Sequence, residues 1–150
     1  RRLDGPFAYT GYDVAPEMIE AARARRHGTD SASFTHDHAA LSPADYTLAS
    51  GLFNVKMDTP DSAWKDYVLH TLHRIDSLST HGFAFNMLTR YADPHLMRPD
   101  LYYADPLFYF DYCKSRFSRR ASLVHDYDLF EFTILVRKPG RAISLVGGRA

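Results

Sequence analysis

The sequence predicts an α/β fold whose sheet is mostly parallel and ends in an antiparallel hairpin. Three observations predict it. Short strand-like runs alternate with helical stretches, each early strand hands over to a loop carrying polar groups, and the last strands follow one another with only a turn between them. The 150 residues, 45% hydrophobic and 24% charged, suffice for one domain with a real core. A chain of this size buries about two-thirds of its unfolded surface.

The first strand is FAYTGY (7–12), with Asp13 where it would leave the sheet. A helix follows. Pro16 suits its first position and Glu17 complements the positive end of its dipole. Met18, Ile19 and Ala22 make its apolar stripe, Arg23, Arg25 and Arg26 lie near its negative end, and Gly28 stops it. Ala15 is a poor cap, a weakness that Asp13 offsets by accepting hydrogen bonds itself. ASFTHDHAAL (32–41) gives a second strand ending near Asp37. ADYTLASGLFNVK (44–56) gives a third, broken at Ser50 and Gly51.

The longest helix is predicted from Thr59 and Pro60 to His81, with Trp64, Val68, Leu72 and Ile75 on its buried face and Gly82 as its stop. GFAFNML (82–88) reads as a strand covered on both faces. Residues 89–104 are polar and contain proline, and Asp105 with Pro106 opens the helix LFYFDYCKSRF as cap and first residue. ASLVHDYDLFEFTILVRK (121–138) is an antiparallel hairpin turning near Asp126 to Asp128. PGRAISLVGGRA, from 139, is a tail, and there is no internal repeat or second domain.

Lysine plus arginine and aspartate plus glutamate number 18 each, so a zero formal charge gives no field toward nucleic acid or anionic lipid. No apolar run is long enough to span a bilayer and no signal-peptide pattern is present. The lone Cys113 has no internal disulfide partner, and a cytoplasmic location is expected. The chain opens on Arg1 and not on methionine, so a segment upstream is expected.

The order GYDVAPEMIEAAR, THDHAAL, ADYTLASGLFNVK, GFAFNML and FEFTILVRK resembles the class I S-adenosylmethionine-dependent methyltransferases over about residues 7–138. The resemblance implies a Rossmann-like, three-layer α/β/α fold and S-adenosylmethionine as cofactor. It also implies that Asp13 holds the ribose hydroxyls, which a carboxylate can accept as a pair. Val14 and Met18 would contact the adenine, Asp37 would accept from its exocyclic amine, and His38 would lie along the base. Ser50, Gly51 and Phe53 would flank the methionine part and the methyl group.

The family's glycine-rich turn after its first strand does not occur in the chain, and RRLDGPF reads as the end of the helix that would follow it. The reading is therefore an N-terminally truncated methyltransferase domain, 1–138, with a tail, 139–150, and an incomplete cofactor site. The apolar run AISLVGG (142–148) and a second copy of the chain are candidates to fill the gap in the sheet, so self-association through that sheet is one expectation. The acceptor is expected to be a small molecule, with no nucleic-acid or membrane partner. No catalytic base is identified.

Other readings stay open beside these. Taken alone, Asp13 reads equally as a helix-capping carboxylate, and the elements that follow it favour the site. HDH (36–38) and the His70/His73 pair have spacings seen in metal sites, but without further ligands they read as solvated polar groups, and no metal is expected. Tyr91, Tyr102, Tyr103, Phe108, Tyr109, Phe110 and Tyr112 wall an acceptor pocket or fill the core, and Arg116, Arg119 and Arg120 read as solvated surface. Asn54 and Asn86, near strand ends, are positioning amides or partners of the backbone. The alternative function is a nonenzymatic Rossmann-like nucleotide-binding or interaction module. A nicotinamide dehydrogenase fragment fits Asp13 but not the terminal hairpin.

Overall fold

A computed structural model describes residues 7–25 and 32–139. The chain divides into two units, Arg1–Ser42 and Pro43–Ala150. Gly28, Arg26 and most of RRLDGPF lie outside the described residues, as does AISLVGG.

In the first unit, β1 (Tyr9–Tyr12) pairs in parallel with β2 (Ala32–Thr35), Tyr9 opposite Ala32 and Tyr12 opposite Thr35. The crossover carries α1 (Pro16–Ala24), with Pro16 and Glu17 in its first turn and Arg23 in its last, as the sequence predicts. Ile19 is its buried residue. Ala15 supplies no side-chain cap, and Oδ1 of Asp13 accepts from the Ala15 amide at 2.9 Å instead. Arg23 ties α1 to the strand beside it by donating from Nη2 to the Phe34 carbonyl at 2.7 Å.

In the second unit the sheet runs β3 (Ala44–Ala49), β4 (Ser79–Thr89), β7 (Glu131–Arg137) and β6 (Ala121–Val124). The short β5 (Tyr103–Ala104) also pairs with β4. β3 and β5 lie parallel to β4, whereas β7 is antiparallel to both β4 and β6, so the predicted terminal hairpin is present. Val68, Leu72 and Ile75 from α2 (Asp61–Ser77) meet Phe83, Phe85 and Met87 of β4, Tyr109 and Cys113 of α3 (Pro106–Arg116), and Phe132, Ile134 and Val136 of β7 in one core. Each such side chain stabilises the fold by about 1.5–3 kcal/mol when fully buried. Asp105 caps α3, its Oδ1 accepting from Leu107 at 2.9 Å, and Pro106 is its first residue, as expected.

Two boundaries differ from the prediction. The long helix stops at Ser77 and not at His81, because Ser79 leaves it to open β4, its hydroxyl lying 2.6 Å from the Ile75 carbonyl and 2.8 Å from Oγ1 of Thr47. Gly82 is therefore not a helix stop. It sits inside β4 opposite Tyr46 and Arg137, where a Cβ would collide with the Val136 carbonyl oxygen. The apolar run is also longer than predicted and less evenly covered. Phe83, Phe85 and Met87 are buried, whereas Ala84, Asn86 and Leu88 on the other face are half-buried.

Candidate active site

Parallel strands in open α/β sheets present their carboxyl ends to ligands. At that end of the first unit, Tyr12 lies opposite Thr35, and the Asp13 amide donates to the Thr35 carbonyl at 3.3 Å. Asp13 and the loop after β2 thus leave the pair at one level. Asp13 is half-buried, and among the described residues the one hydrogen bond to its carboxylate is that from Ala15. Both readings of this residue are therefore compatible: one oxygen caps, and among the described residues none donates to the other. Gly11, Asp13, Met18, Ile19 and Phe34 help to line a shallow pocket of about 170 Å³. It is smaller than the roughly 300–1,000 Å³ of a whole ligand site and suits part of a ligand.

Val14 is exposed beside this pocket without lining it. Asp37 caps the 3-10 turn His38–Ala40, its Oδ1 accepting from Ala39 at 2.8 Å, and its own amide donates to Oγ1 of Thr35 at 3.0 Å. His38 opens that turn and is exposed.

In the second unit the chain leaves β3 through Ser50 and Gly51. Gly51 has φ +69°, a left-handed conformation that glycine adopts without a Cβ penalty. Its amide donates to Oδ1 of Asn86 at 2.7 Å. Phe53 is fully buried, edge-on to Phe85, and its carbonyl accepts from Nε1 of Trp64 at 2.9 Å. Phe53 thus anchors the turn, leaving Ser50, Gly51 and Leu52 exposed.

Asn54 and Asn86, left open between two roles by the sequence, converge on Glu131. Nδ2 of Asn86 donates to Oε2 at 2.6 Å, and Nδ2 of Asn54 donates to Oε1 at 3.3 Å. Oδ1 of Asn54 accepts from the Leu88 amide at 3.3 Å. Sequence reasoning missed Glu131. The signal that could have found it is an acid in the otherwise apolar run FEFTILV; in the sheet it stands opposite Leu88, two positions along β4 from Asn86.

The loops after β3 and β4 are tied together by a Val55–Leu101 bridge and by Asp100, whose carbonyl accepts from the amides of Lys56 and Met57. Arg98 grips the Asp100 carboxylate through Nε at 3.0 Å and Nη2 at 2.5 Å, which holds that carboxyl below its usual range and raises the guanidinium. These loops expose Leu52, Val55, Met57, Tyr91 and Leu96.

Of the aromatics left open between acceptor wall and core, Tyr102 and Tyr109 lie in the core and Phe108 and Phe110 pack partly against it. Tyr109 and Tyr102 are buried with hydroxyls 3.1 Å apart, and burial raises both phenols. Phe108, Phe110 and Tyr112 are half-buried on α3, and Tyr91 stays exposed. His73 pairs with the Tyr112 hydroxyl at 2.9 Å. Arg116, Arg119 and Arg120 are exposed. Among the described residues no three His, Cys, Asp or Glu side chains group as metal ligands, and no helix is long and apolar enough to cross a membrane.

A parallel strand pair crossed over by a helix, and a second sheet that ends in an antiparallel hairpin, are features of the Rossmann-like class of α/β proteins. Comparison with known proteins narrows that class. The chain is 49% identical over 130 residues to "Putative methyltransferase Rv1506c" of Mycobacterium tuberculosis (strain ATCC 25618 / H37Rv), a match covering 87% of this chain and 78% of that protein. Its fold matches magnesium protoporphyrin IX methyltransferase (ChlM) of Synechocystis PCC 6803 with bound S-adenosylhomocysteine at a TM-score of 0.60 and 12% identity, over 88% of this chain. The same enzyme with bound S-adenosylmethionine matches at 0.57 and 11%. The match spans only 64% of the chain with S-adenosylhomocysteine and 60% of the chain with S-adenosylmethionine. A chain of the Pnkp1/Rnl/Hen1 RNA repair complex shares the fold at 0.59 and 13% identity, over 90% of this chain and 32% of its own. No protein-family model matches. The chain belongs to the methyltransferase family of that 49% identical relative, and it has the fold of these S-adenosylmethionine-binding methyltransferases.

Proposed function

We propose that this protein transfers a methyl group from S-adenosylmethionine to a small-molecule acceptor. The observation that carries the reading is Asp13, a half-buried carboxylate at the carboxyl end of a parallel strand, with one oxygen engaged by Ala15 and a pocket beside it. The residues present fit the cofactor. Asp13 takes the ribose hydroxyls, Met18 and Val14 meet the adenine, and Asp37 and His38 stand at the edge of the base. In the second unit, considered by itself, the Ser50–Gly51 turn, anchored by Phe53, is assigned to the methionine end by the family resemblance alone. When bound, the cofactor supplies an electrophilic methyl group on sulfur, and the protein supplies binding and alignment.

An acceptor of small size is supported by the apolar side chains exposed on the loops after β3 and β4, and by the zero formal charge, which provides no footprint for a polyanion. Calorimetry with S-adenosylhomocysteine tests the reading. The full-length protein is expected to bind it, and Asp13→Ala to weaken binding by about 1.5–3 kcal/mol, the range for hydrogen bonds to a charged group. Unchanged affinity in a folded variant would leave Asp13 as a cap alone.

A further inference from the structure

We infer that Glu131 is a positioning residue for the turn that takes the methionine end of the cofactor, acting through Asn86 and Asn54. The inference rests on the methyltransferase reading only for what the turn binds. The clamp itself follows from donor and acceptor counting.

Each asparagine amide is fixed in orientation by a backbone N–H. Oδ1 of Asn86 must face the Gly51 amide at 2.7 Å, and Oδ1 of Asn54 must face the Leu88 amide at 3.3 Å, since turning either side chain would set donor against donor. Both NH₂ groups then point at residue 131. That side chain must accept at two oxygens, at 2.6 Å from Asn86 and 3.3 Å from Asn54. A carboxylate does so, whereas a glutamine of the same size offers one acceptor and sets its own NH₂ against one of the asparagines. The chain of bonds therefore runs from β7 through β4 to the backbone of Gly51, a residue with φ +69° and open space around its Cα. Beside the buried Phe53 and the Asn54 amide, which donates to the Gly51 carbonyl at 3.5 Å, the amide-to-Asn86 bond is a further restraint on where the turn sits, and at 2.7 Å the shorter of its two backbone hydrogen bonds.

The same counting supplies a rescue. In the double variant Asn86→Asp/Glu131→Gln, the carboxylate introduced on β4 would accept from the Gly51 amide with one oxygen and from the glutamine NH₂ with the other. The glutamine oxygen would accept from Asn54. Every bond is restored with its polarity reversed at one link and the net charge unchanged.

The test uses the full-length protein and two readouts. By NMR, hydrogen exchange at the Gly51 amide is expected to quicken about tenfold or more in Glu131→Gln and to return toward wild type in the double variant. By calorimetry, affinity for S-adenosylhomocysteine is expected to fall and recover in parallel, with the melting temperature of the core little changed. Unaltered Gly51 exchange in Glu131→Gln would overturn the clamp. Faster exchange without loss of affinity, in a wild type that binds, would overturn its role in cofactor placement. A wild type that binds no S-adenosylhomocysteine would overturn the methyltransferase reading and that role with it, while Gly51 exchange would still decide whether the clamp exists.

Discussion

On the proposed reading the two oxygens of Asp13 serve two ends, the Ala15 amide and the ribose, and the two can be separated by substitution. Asparagine keeps an oxygen for the Ala15 amide but presents an NH₂ where the second carboxylate oxygen stood. Asp13→Asn is therefore expected to melt like wild type and to lose affinity for S-adenosylhomocysteine, while Asp13→Ala loses both. Thermal melts beside calorimetry decide this, and equal losses of stability in the two variants would contradict it. Cys113 is the opposite case, a reactive atom type made inert by its surroundings. It is fully buried among Val68, Tyr109 and their neighbours, and burial pushes the thiol up to about 12. The native protein should leave a thiol reagent unreacted at pH 8 and react once unfolded. Because the folded value lies above the roughly 8.5 of an unfolded thiol, the folded state holds more protons in between. Stability should accordingly fall as pH rises from about 8.5 toward 12, with Tyr102 and Tyr109 acting in the same direction. Urea midpoints at about pH 8 and about pH 10 measure it, and a midpoint that rose would contradict this.

The elements show which local signals are readable. Pro16 and the Asp105–Pro106 pair mark their helix starts because capping depends on neighbours in sequence, and both helices begin where those residues say. The end of α2 is misplaced in the sequence reading because Gly82 looks like a helix stop, whereas its role is set by β7. Only in the sheet does its bare Cα meet the carbonyl of Val136, a residue far along the chain. Gly82→Ala should therefore destabilise the protein more than the roughly 1 kcal/mol typical of a point mutation. Asp105→Ala should cost about 0.5–2 kcal/mol, the value of a lost cap. Chemical denaturation measures both. A neutral Gly82→Ala would mean that β4 and β7 can separate at that point at little cost.

At the scale of the whole molecule, the order of strands and helices was legible, and with it the positions of Asp13, Asp37 and Gly51, because polar groups at strand exits are a local pattern. Glu131 was not, since it meets Asn86 from 45 residues away and Asn54 from 77, and only the antiparallel register of β7 on β4 brings them together. The fates of Tyr102 and Tyr109 were likewise decided by packing, which composition does not reveal. Among the described residues β1 pairs only with β2 and β3 only with β4, so each keeps a free edge. Free edges are templates for further pairing, and the expectation of self-association through them can be checked by sedimentation across a range of concentrations. The central claim, that this fold binds S-adenosylmethionine with its strand-exit residues, is tested most directly by an amide NMR titration of the full-length protein with S-adenosylhomocysteine. Saturable shifts at Asp13, Val14, Asp37, His38 and Gly51 are the predicted result; no shift, or shifts confined to other residues, would contradict it.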